Sequence, residues 1–168
     1  MDQAIYNVLF LCRHNSARSI MAEAILNNLA VNKGRFKAFS AGSDPADHVD
    51  LLAFEQIRSA GLPAIGLQPK SWDEFVMPDA PRMHFVFTVG DRIAAGQRPK
   101  WPGSPITVHW EVADPSAMEG TDPEKRWASS QAFIYLYNRI NIFASLPLAN
   151  LDRTGLQRRL DEIGADNG

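Results

Sequence analysis

Short apolar runs alternate with amphipathic segments along this chain. Residues 5–11 form an apolar run typical of a strand buried on both faces, and RFKAFSAG, HFVFTV and ITVHW share this character. Between and after these runs, apolar residues recur with a helical period. The alternation predicts an α/β fold with a four-stranded parallel sheet and helices on both faces.

Two helices are expected before the third strand, and a shorter one follows them. The first begins near Ser19 and ends at Gly34, and the second closes at Gly61. Ser71 and Glu74 have the spacing of a capping box, which predicts a short helix just after Ser71.

Two more helices are expected after the fourth strand. In TDPEKRW, Asp122 is the predicted N-cap and Pro123 the first helical residue. The last helix spans about residues 152–163. Residues 90–105, rich in glycine and proline, are expected to form a long loop that acts as a mobile flap. The long third helix is expected to turn these residues inward: Trp127, Phe133, Tyr137, Ile140 and Ala144.

Composition limits the class of protein. The 168 residues suit one compact domain spanning residues 1–168, and 45% of them are hydrophobic. A formal net charge of -2 argues against a nucleic-acid partner or an anionic membrane surface. A single cysteine excludes an internal disulfide, and the N-terminus lacks the basic start of a signal peptide. These features predict a cytoplasmic protein without a membrane span.

The lone cysteine, Cys12, lies where ligands bind in open α/β sheets, just past the carboxyl end of the first strand. Backbone N–H groups of the turn, the helix N-terminus and the guanidinium of Arg18 would together attract a tetrahedral oxyanion. The same field favours a thiolate, which is a nucleophile. The alternative is a buried structural cysteine. The predicted oxyanion-binding residues are Arg13, His14, Asn15, Ser16, Ala17, Arg18 and Ser19.

The segment VLFLCRHNSARSIMAEAIL resembles the low-molecular-weight protein tyrosine phosphatase superfamily, and within it the branch of cysteine-based bacterial arsenate reductases. The shared pattern is C-x5-R-S, with asparagine third after the cysteine and Ala-Glu in the next helix. In this chain it consists of Cys12, Asn15, Arg18, Ser19, Ala22 and Glu23. The resemblance continues through FSAGS, KSWDEF, FVFTV, HWEVADP and LQRRLDEIG, and so covers nearly the whole chain.

The resemblance implies a general acid on a late loop, an aspartate followed by proline. Asp114-Pro115 matches it, and a carboxylic acid there would protonate the departing oxygen. Without the resemblance, an ordinary Asp-Pro turn is the favoured interpretation. The catalytic residues are therefore expected to be Cys12, Arg18 and Asp114.

The resemblance leaves open a potassium ion near Asn15 and Glu23, since Glu23, Ser40 and Asp73 match positions that help to bind potassium in some arsenate reductases. No other cofactor or metal is expected. The four histidines show no metal-ligand spacing: His14, His48, His84 and His109.

The chain departs from its relatives at several positions. Ser116 stands where the phosphatases usually carry an aromatic residue, and His14 replaces a usual loop glycine, where a positive φ was expected. Gly90 and Arg98 stand roughly where related arsenate reductases carry flap cysteines, so an internal disulfide relay is impossible.

Three functions remain open at this stage. The first is an arsenate reductase-like enzyme that uses an external low-molecular-weight thiol and a glutaredoxin-like partner. The second is a phosphomonoester hydrolase that works through a Cys12 phosphoenzyme. The third is a non-catalytic oxyanion-binding protein.

Overall fold

The computed structural model describes residues 4–90 and 98–165. The strands are β1 (Tyr6–Cys12), β2 (Phe36–Gly42), β3 (Phe85–Val89) and β4 (Ile106–Trp110). The α-helices are α1 (Arg18–Asn28), α2 (Leu51–Ser59), α3 (Asp122–Ala144) and α4 (Arg153–Ala165). Short 3-10 helices occupy Ala30–Asn32, Trp72–Phe75, Pro115–Ala117 and Leu148–Asn150.

The four strands form one parallel sheet in the order β2-β1-β3-β4, which confirms the predicted fold class. β1 lies between β2 and β3. The chain therefore passes from β1 to β2 on one side and later returns to form β3 on the other side of β1. Such a switch point opens a crevice at the carboxyl ends of the strands. Cys12, the last residue of β1, lies at this crevice.

Alternate strand residues face two different apolar clusters, as the pleat requires. Val8 and Phe10 face the larger one, to which all four α-helices contribute. Leu9 and Leu11 face a smaller cluster that includes Phe75 of the short 3-10 helix. Helices therefore cover both faces of the sheet as expected, but the cover differs: α-helices pack on one face and a short 3-10 helix on the other.

The start of α3 differs from the expectation. Its N-cap is Thr121 and not Asp122, because the Thr121 hydroxyl accepts from the Glu124 N–H while the Glu124 carboxylate accepts from the Thr121 N–H. Two of the expected inward residues were also wrong. Trp127 and Tyr137 are 61% and 42% exposed, whereas Phe133, Ile140 and Ala144 are buried as predicted.

The short helix after Ser71 is a 3-10 turn, and its cap bond differs from a capping box. The Ser71 hydroxyl accepts from the N–H of Asp73, the first acidic residue of the turn. Residues 91–97 of the expected flap lie outside the described residues, so its mobility stays a prediction. No helix in residues 4–90 and 98–165 is long and apolar enough to cross a membrane. The cytoplasmic location stays a prediction.

Candidate active site

The loop between β1 and α1 is held from outside by the segment that follows β2. The carbonyl oxygens of Arg13, His14 and Ser16 accept from the backbone N–H groups of Asp44, Ala46 and Asp50, at 2.8, 2.9 and 2.9 Å. These bonds draw three carbonyl oxygens away from the centre of the loop. The arrangement therefore favours N–H groups facing inward, where an anion would be stabilised.

Gly42, at the end of β2, allows the loop to pack this closely. A Cβ atom there would lie 2.6 Å from the carbonyl oxygen of Arg13 and 3.0 Å from the backbone nitrogen of Asn15. Backbone atoms cannot yield as a flexible side chain can. The position therefore requires glycine.

A hydrogen-bond chain ends on the thiol. The Asn15 amide nitrogen donates to the Ser19 hydroxyl oxygen at 2.7 Å, and that oxygen lies 2.9 Å from Cys12 Sγ. The amide nitrogen only donates, so the serine oxygen accepts from it, while either the serine hydroxyl or the thiol can donate in the contact between Ser19 and Cys12. Asn15, Ser19 and Cys12 are all buried.

Asn15, and not His14, takes the left-handed backbone conformation in this loop, with φ 47°. Asparagine tolerates this region better than most residues, and a bond from the Lys70 N–H to its amide oxygen, 2.9 Å long, holds it there. The histidine that replaces a usual glycine therefore needs no positive φ.

The two side chains before Asn15 turn outward. Arg13 is exposed, with Nε 3.9 Å from the carboxylate of Asp44, and His14 Nδ1 lies 3.0 Å from the Asp44 carbonyl oxygen. They can serve an oxyanion through their backbone N–H groups. Ser16 is half-buried and Ala17 is buried.

Arg18 is almost fully buried and held in one orientation. Its Nη1 donates to the carbonyl oxygen of Val112 at 2.9 Å, and its Nη2 lies 3.6 Å from the carboxylate of Asp114. Gly90 closes the other side, since a Cβ there would stand 2.6 Å from Nη1. A cation fixed this firmly at the mouth of the loop suits bidentate binding of an oxyanion.

Asp114 is oriented by the residue that departs from the phosphatase pattern. Its Oδ1 accepts from the backbone N–H of Ser116 at 2.9 Å and from the Ser116 hydroxyl at 2.7 Å. Its Oδ2 is thereby left toward Arg18. The three residues expected to be catalytic thus meet at one edge of the sheet.

The possible potassium site does not fit a metal ion. The ammonium of Lys70 donates to the Ser40 carbonyl oxygen at 3.2 Å and lies 3.9 Å from Glu23 Oε1, so a cation already occupies these oxygens. Asp73 is exposed. Burial raises the pKa of Glu23, while the Ser40 hydroxyl bond and Lys70 partly oppose it. Among the described residues, no three His, Cys, Asp or Glu side chains could hold a metal together.

A groove of about 860 Å³ lies beside the Asp114 segment, between it and α3. Trp127, Ile134 and Met118 line the groove, so the exposed side of Trp127 faces this groove. None of the residues from Cys12 to Ser19 lines this groove.

Four contributors to the site were missed from sequence: Gly42, Lys70, Gly90 and the carbonyl of Val112. Gly42 ends β2 and Gly90 directly follows β3, and glycine at a strand end was the one signal that could have marked them. Every residue has a backbone carbonyl, so the sequence cannot show that the carbonyl of Val112 binds Arg18.

Known proteins match this chain in sequence and in structure. A model of the family described as low molecular weight phosphotyrosine protein phosphatase matches residues 7–96. An arsenate reductase of Halalkalibacterium halodurans is 31% identical over 121 residues, covering 72% of this chain and 81% of that protein.

Solved structures agree with this match. The arsenate reductase of Archaeoglobus fulgidus is 27% identical with a TM-score of 0.59, covering 80% of this chain and 98% of that one. A thioredoxin-dependent arsenate reductase of Corynebacterium glutamicum is 25% identical with a TM-score of 0.56, covering 84% of this chain and 65% of that one.

Proposed function

Because the chain belongs to the low molecular weight phosphotyrosine protein phosphatase family, a family of cysteine-based enzymes, we propose that it reduces arsenate with Cys12 as nucleophile and an external thiol as reductant. The observation that carries the proposal is that Cys12 ends β1 at the carboxyl edge of the sheet, where Arg18 begins α1 with its guanidinium 3.6 Å from the Asp114 carboxylate. The names of the relatives, arsenate reductases in two bacteria and an archaeon, support arsenate as the substrate.

In the first step arsenate binds in the loop formed by residues 12–19, with Arg18 and the loop N–H groups on its oxygens. The Cys12 thiolate attacks arsenic, and a sulfur–arsenic bond forms as an arsenic–oxygen bond breaks. Asp114 gives its proton to the departing oxygen, which leaves as water. Arsenic is still pentavalent at this point.

In the second step an external thiolate attacks Cys12 Sγ. The sulfur–arsenic bond breaks, its electron pair stays on arsenic, and arsenite leaves. Cys12 is then in a mixed disulfide, and a second thiol exchanges with it to release the free enzyme. Two thiols thus supply the two electrons. The chain has one cysteine and cannot supply the second thiol itself.

The reductant is proposed to be a low-molecular-weight thiol followed by a glutaredoxin-like protein. The test measures arsenite formation with this pair and, separately, with thioredoxin and its reductase. We expect turnover with the pair and none with thioredoxin alone, because a chain with one cysteine cannot form an internal disulfide for thioredoxin to reduce. Steady turnover with thioredoxin alone would overturn the reasoning from the lone cysteine.

A phosphatase is the second candidate, and the missing flap cysteines favour it. The position that would carry one of them, Gly90, lies against the guanidinium of Arg18 and leaves no room for a side chain unless the guanidinium moves. Cys12 would form a phosphoenzyme, and Asp114 would act first as acid and then as base. Ser116, in place of an aromatic residue, argues against phosphotyrosine as the substrate.

One side-by-side assay separates the candidates. Hydrolysis of an aryl phosphate that requires Cys12 and Asp114, with no arsenite formed by any thiol system, establishes the phosphatase. Oxyanion binding without either turnover establishes the non-catalytic alternative.

A further inference from the structure

Lys70 is joined to the nucleophile by backbone and side-chain hydrogen bonds. Its backbone N–H donates to the amide oxygen of Asn15 at 2.9 Å, and its carbonyl oxygen accepts from Gly42 at 2.9 Å. Asn15 in turn donates to Ser19, which lies against Cys12 Sγ. Residue 70 therefore sits at the far end of the chain of hydrogen bonds that ends on the thiol.

The side chain of Lys70 is anchored in a half-buried cage of oxygens. Its ammonium donates to the carbonyl oxygens of Gln68 at 2.9 Å and Ser40 at 3.2 Å. The carboxylate of Glu23 lies 3.9 Å away and accepts from the Ser40 hydroxyl at 2.6 Å. The side chains of Lys70 and Glu23 are only 18% and 14% exposed, so water screens their charges weakly.

These contacts disagree with a potassium ion at Glu23 and Ser40. A metal ion there would compete with the ammonium for the same oxygens and would repel it. We propose that Lys70 is the fixed cation beneath the oxyanion loop and a positioning residue for Cys12, in place of any bound ion. This inference rests on the proposed function only in taking Cys12 as the nucleophile.

If the ion pair of Lys70 and Glu23 acts on the loop through its charges, removing one charge should have the opposite effect to removing the other. Removing the charge of Lys70 leaves the Glu23 carboxylate uncompensated beneath a loop that binds anions, so both the thiolate and a bound oxyanion are disfavoured. Removing the charge of Glu23 leaves the ammonium of Lys70 uncompensated, so the thiolate and a bound oxyanion are both favoured. If Lys70 and Glu23 only packed together, replacing either one would not change the thiolate and oxyanion binding in opposite directions.

The experiment compares Lys70→Met, Lys70→Arg, Glu23→Gln and the double variant Glu23→Gln/Lys70→Met with the unmodified chain. The rate of Cys12 alkylation by iodoacetamide is measured across pH, and phosphate protection gives the affinity for an oxyanion. Lys37→Met is the matched control, because Lys37 is exposed on β2. Melting temperatures show whether each variant folds.

We expect Lys70→Met to move the pH profile of alkylation upward by roughly one unit, which makes the rate about tenfold slower on the acidic limb of the profile. Glu23→Gln should move the profile the other way, while Lys70→Arg, the double variant and Lys37→Met stay close to the unmodified chain. If Lys70→Met does not fold, Glu23→Gln and the double variant still give the sign. Shifts in the same direction for both single variants, or none in either, would overturn the inference.

A second measurement addresses the ion directly. Replacing NaCl with KCl at equal ionic strength should change neither the melting temperature nor the alkylation rate of the unmodified chain. A specific effect of potassium would overturn the inference. Failure of the proposed function is a separate result, since it would appear as slow alkylation of the unmodified chain that phosphate does not affect.

Discussion

Replacing Gly90 by alanine tests whether the fixed orientation of Arg18 matters. The new Cβ would stand 2.6 Å from Nη1 and 2.9 Å from Cζ of Arg18. Carbon and nitrogen atoms pack at about 3.5 Å or more, so the guanidinium must move by about 1 Å. The backbone of Gly90 is outside the left-handed region, so alanine itself causes no strain there.

The displacement should cost affinity more than stability. Moving the guanidinium lengthens its bond to Val112 and misaligns both N–H groups that face an oxyanion. A lost hydrogen bond between charged groups is worth about 1.5–3 kcal/mol, which corresponds to a roughly 10- to 150-fold weaker binding of phosphate. The free energy of unfolding should change by no more than about 1 kcal/mol, because the mobile end of one side chain absorbs the clash.

Phosphate affinity is measured by protection of Cys12 from alkylation, and stability by urea unfolding. Gly155→Ala is the matched control, since a Cβ at Gly155 in α4 meets two side-chain atoms away from Arg18, Oδ1 of Asp152 at 3.1 Å and Cδ2 of Leu151 at 3.7 Å. Unchanged phosphate affinity in a folded Gly90→Ala protein would refute the idea that the orientation of Arg18 sets oxyanion binding.

Three further predictions concern the nucleophile, the core and the buried acid. Cys12→Ser should keep phosphate binding, measured by calorimetry, and lose all turnover, because a hydroxyl is a weak nucleophile without an adjacent base. Gly164→Ala should destabilise the protein by about 1–3 kcal/mol in urea unfolding, because its Cβ would overlap the buried ring of Trp110; a gain in stability from helix propensity would contradict this. The raised pKa of Glu23 means that the folded state holds its proton at a higher pH than the unfolded state. Stability should therefore fall as pH rises from about 4.5 through that raised value, and Glu23→Gln should remove this decline in melts taken across pH; an unchanged decline would contradict it.

Features set by short stretches of sequence were predictable. β4 has the predicted bounds, and the C-x5-R-S spacing located the loop between β1 and α1. The cap of α3 was assigned to the wrong residue although its signal was present, because Thr121 and Glu124 have the three-residue spacing of a capping box. Trp127 was placed inside because a large apolar residue on a helix was assumed to be buried, and residue type does not determine that.

Features that join distant segments were not predictable. Lys70 reaches Ser40 across 30 residues, and Arg18 reaches the Val112 carbonyl across 94. Nothing local to Lys70 distinguishes it from an exposed lysine. Gly90 likewise meets Arg18 only because β3 lies beside β1 in the folded sheet. The residues expected to carry the chemistry were thus easier to find than those that hold them in place.

The position of β1 in the sheet has a consequence for synthesis. β1 pairs with β3 from Val8 to Phe85, and Arg18 needs the Val112 carbonyl, 94 residues further along. A ribosome adding about 5–20 residues per second needs roughly 5–19 s to make that stretch. During this interval the nascent chain carries Cys12 without its partners from the second half of the protein. Until translation has passed β4, the loop that carries Cys12 therefore lacks the contact that fixes its guanidinium.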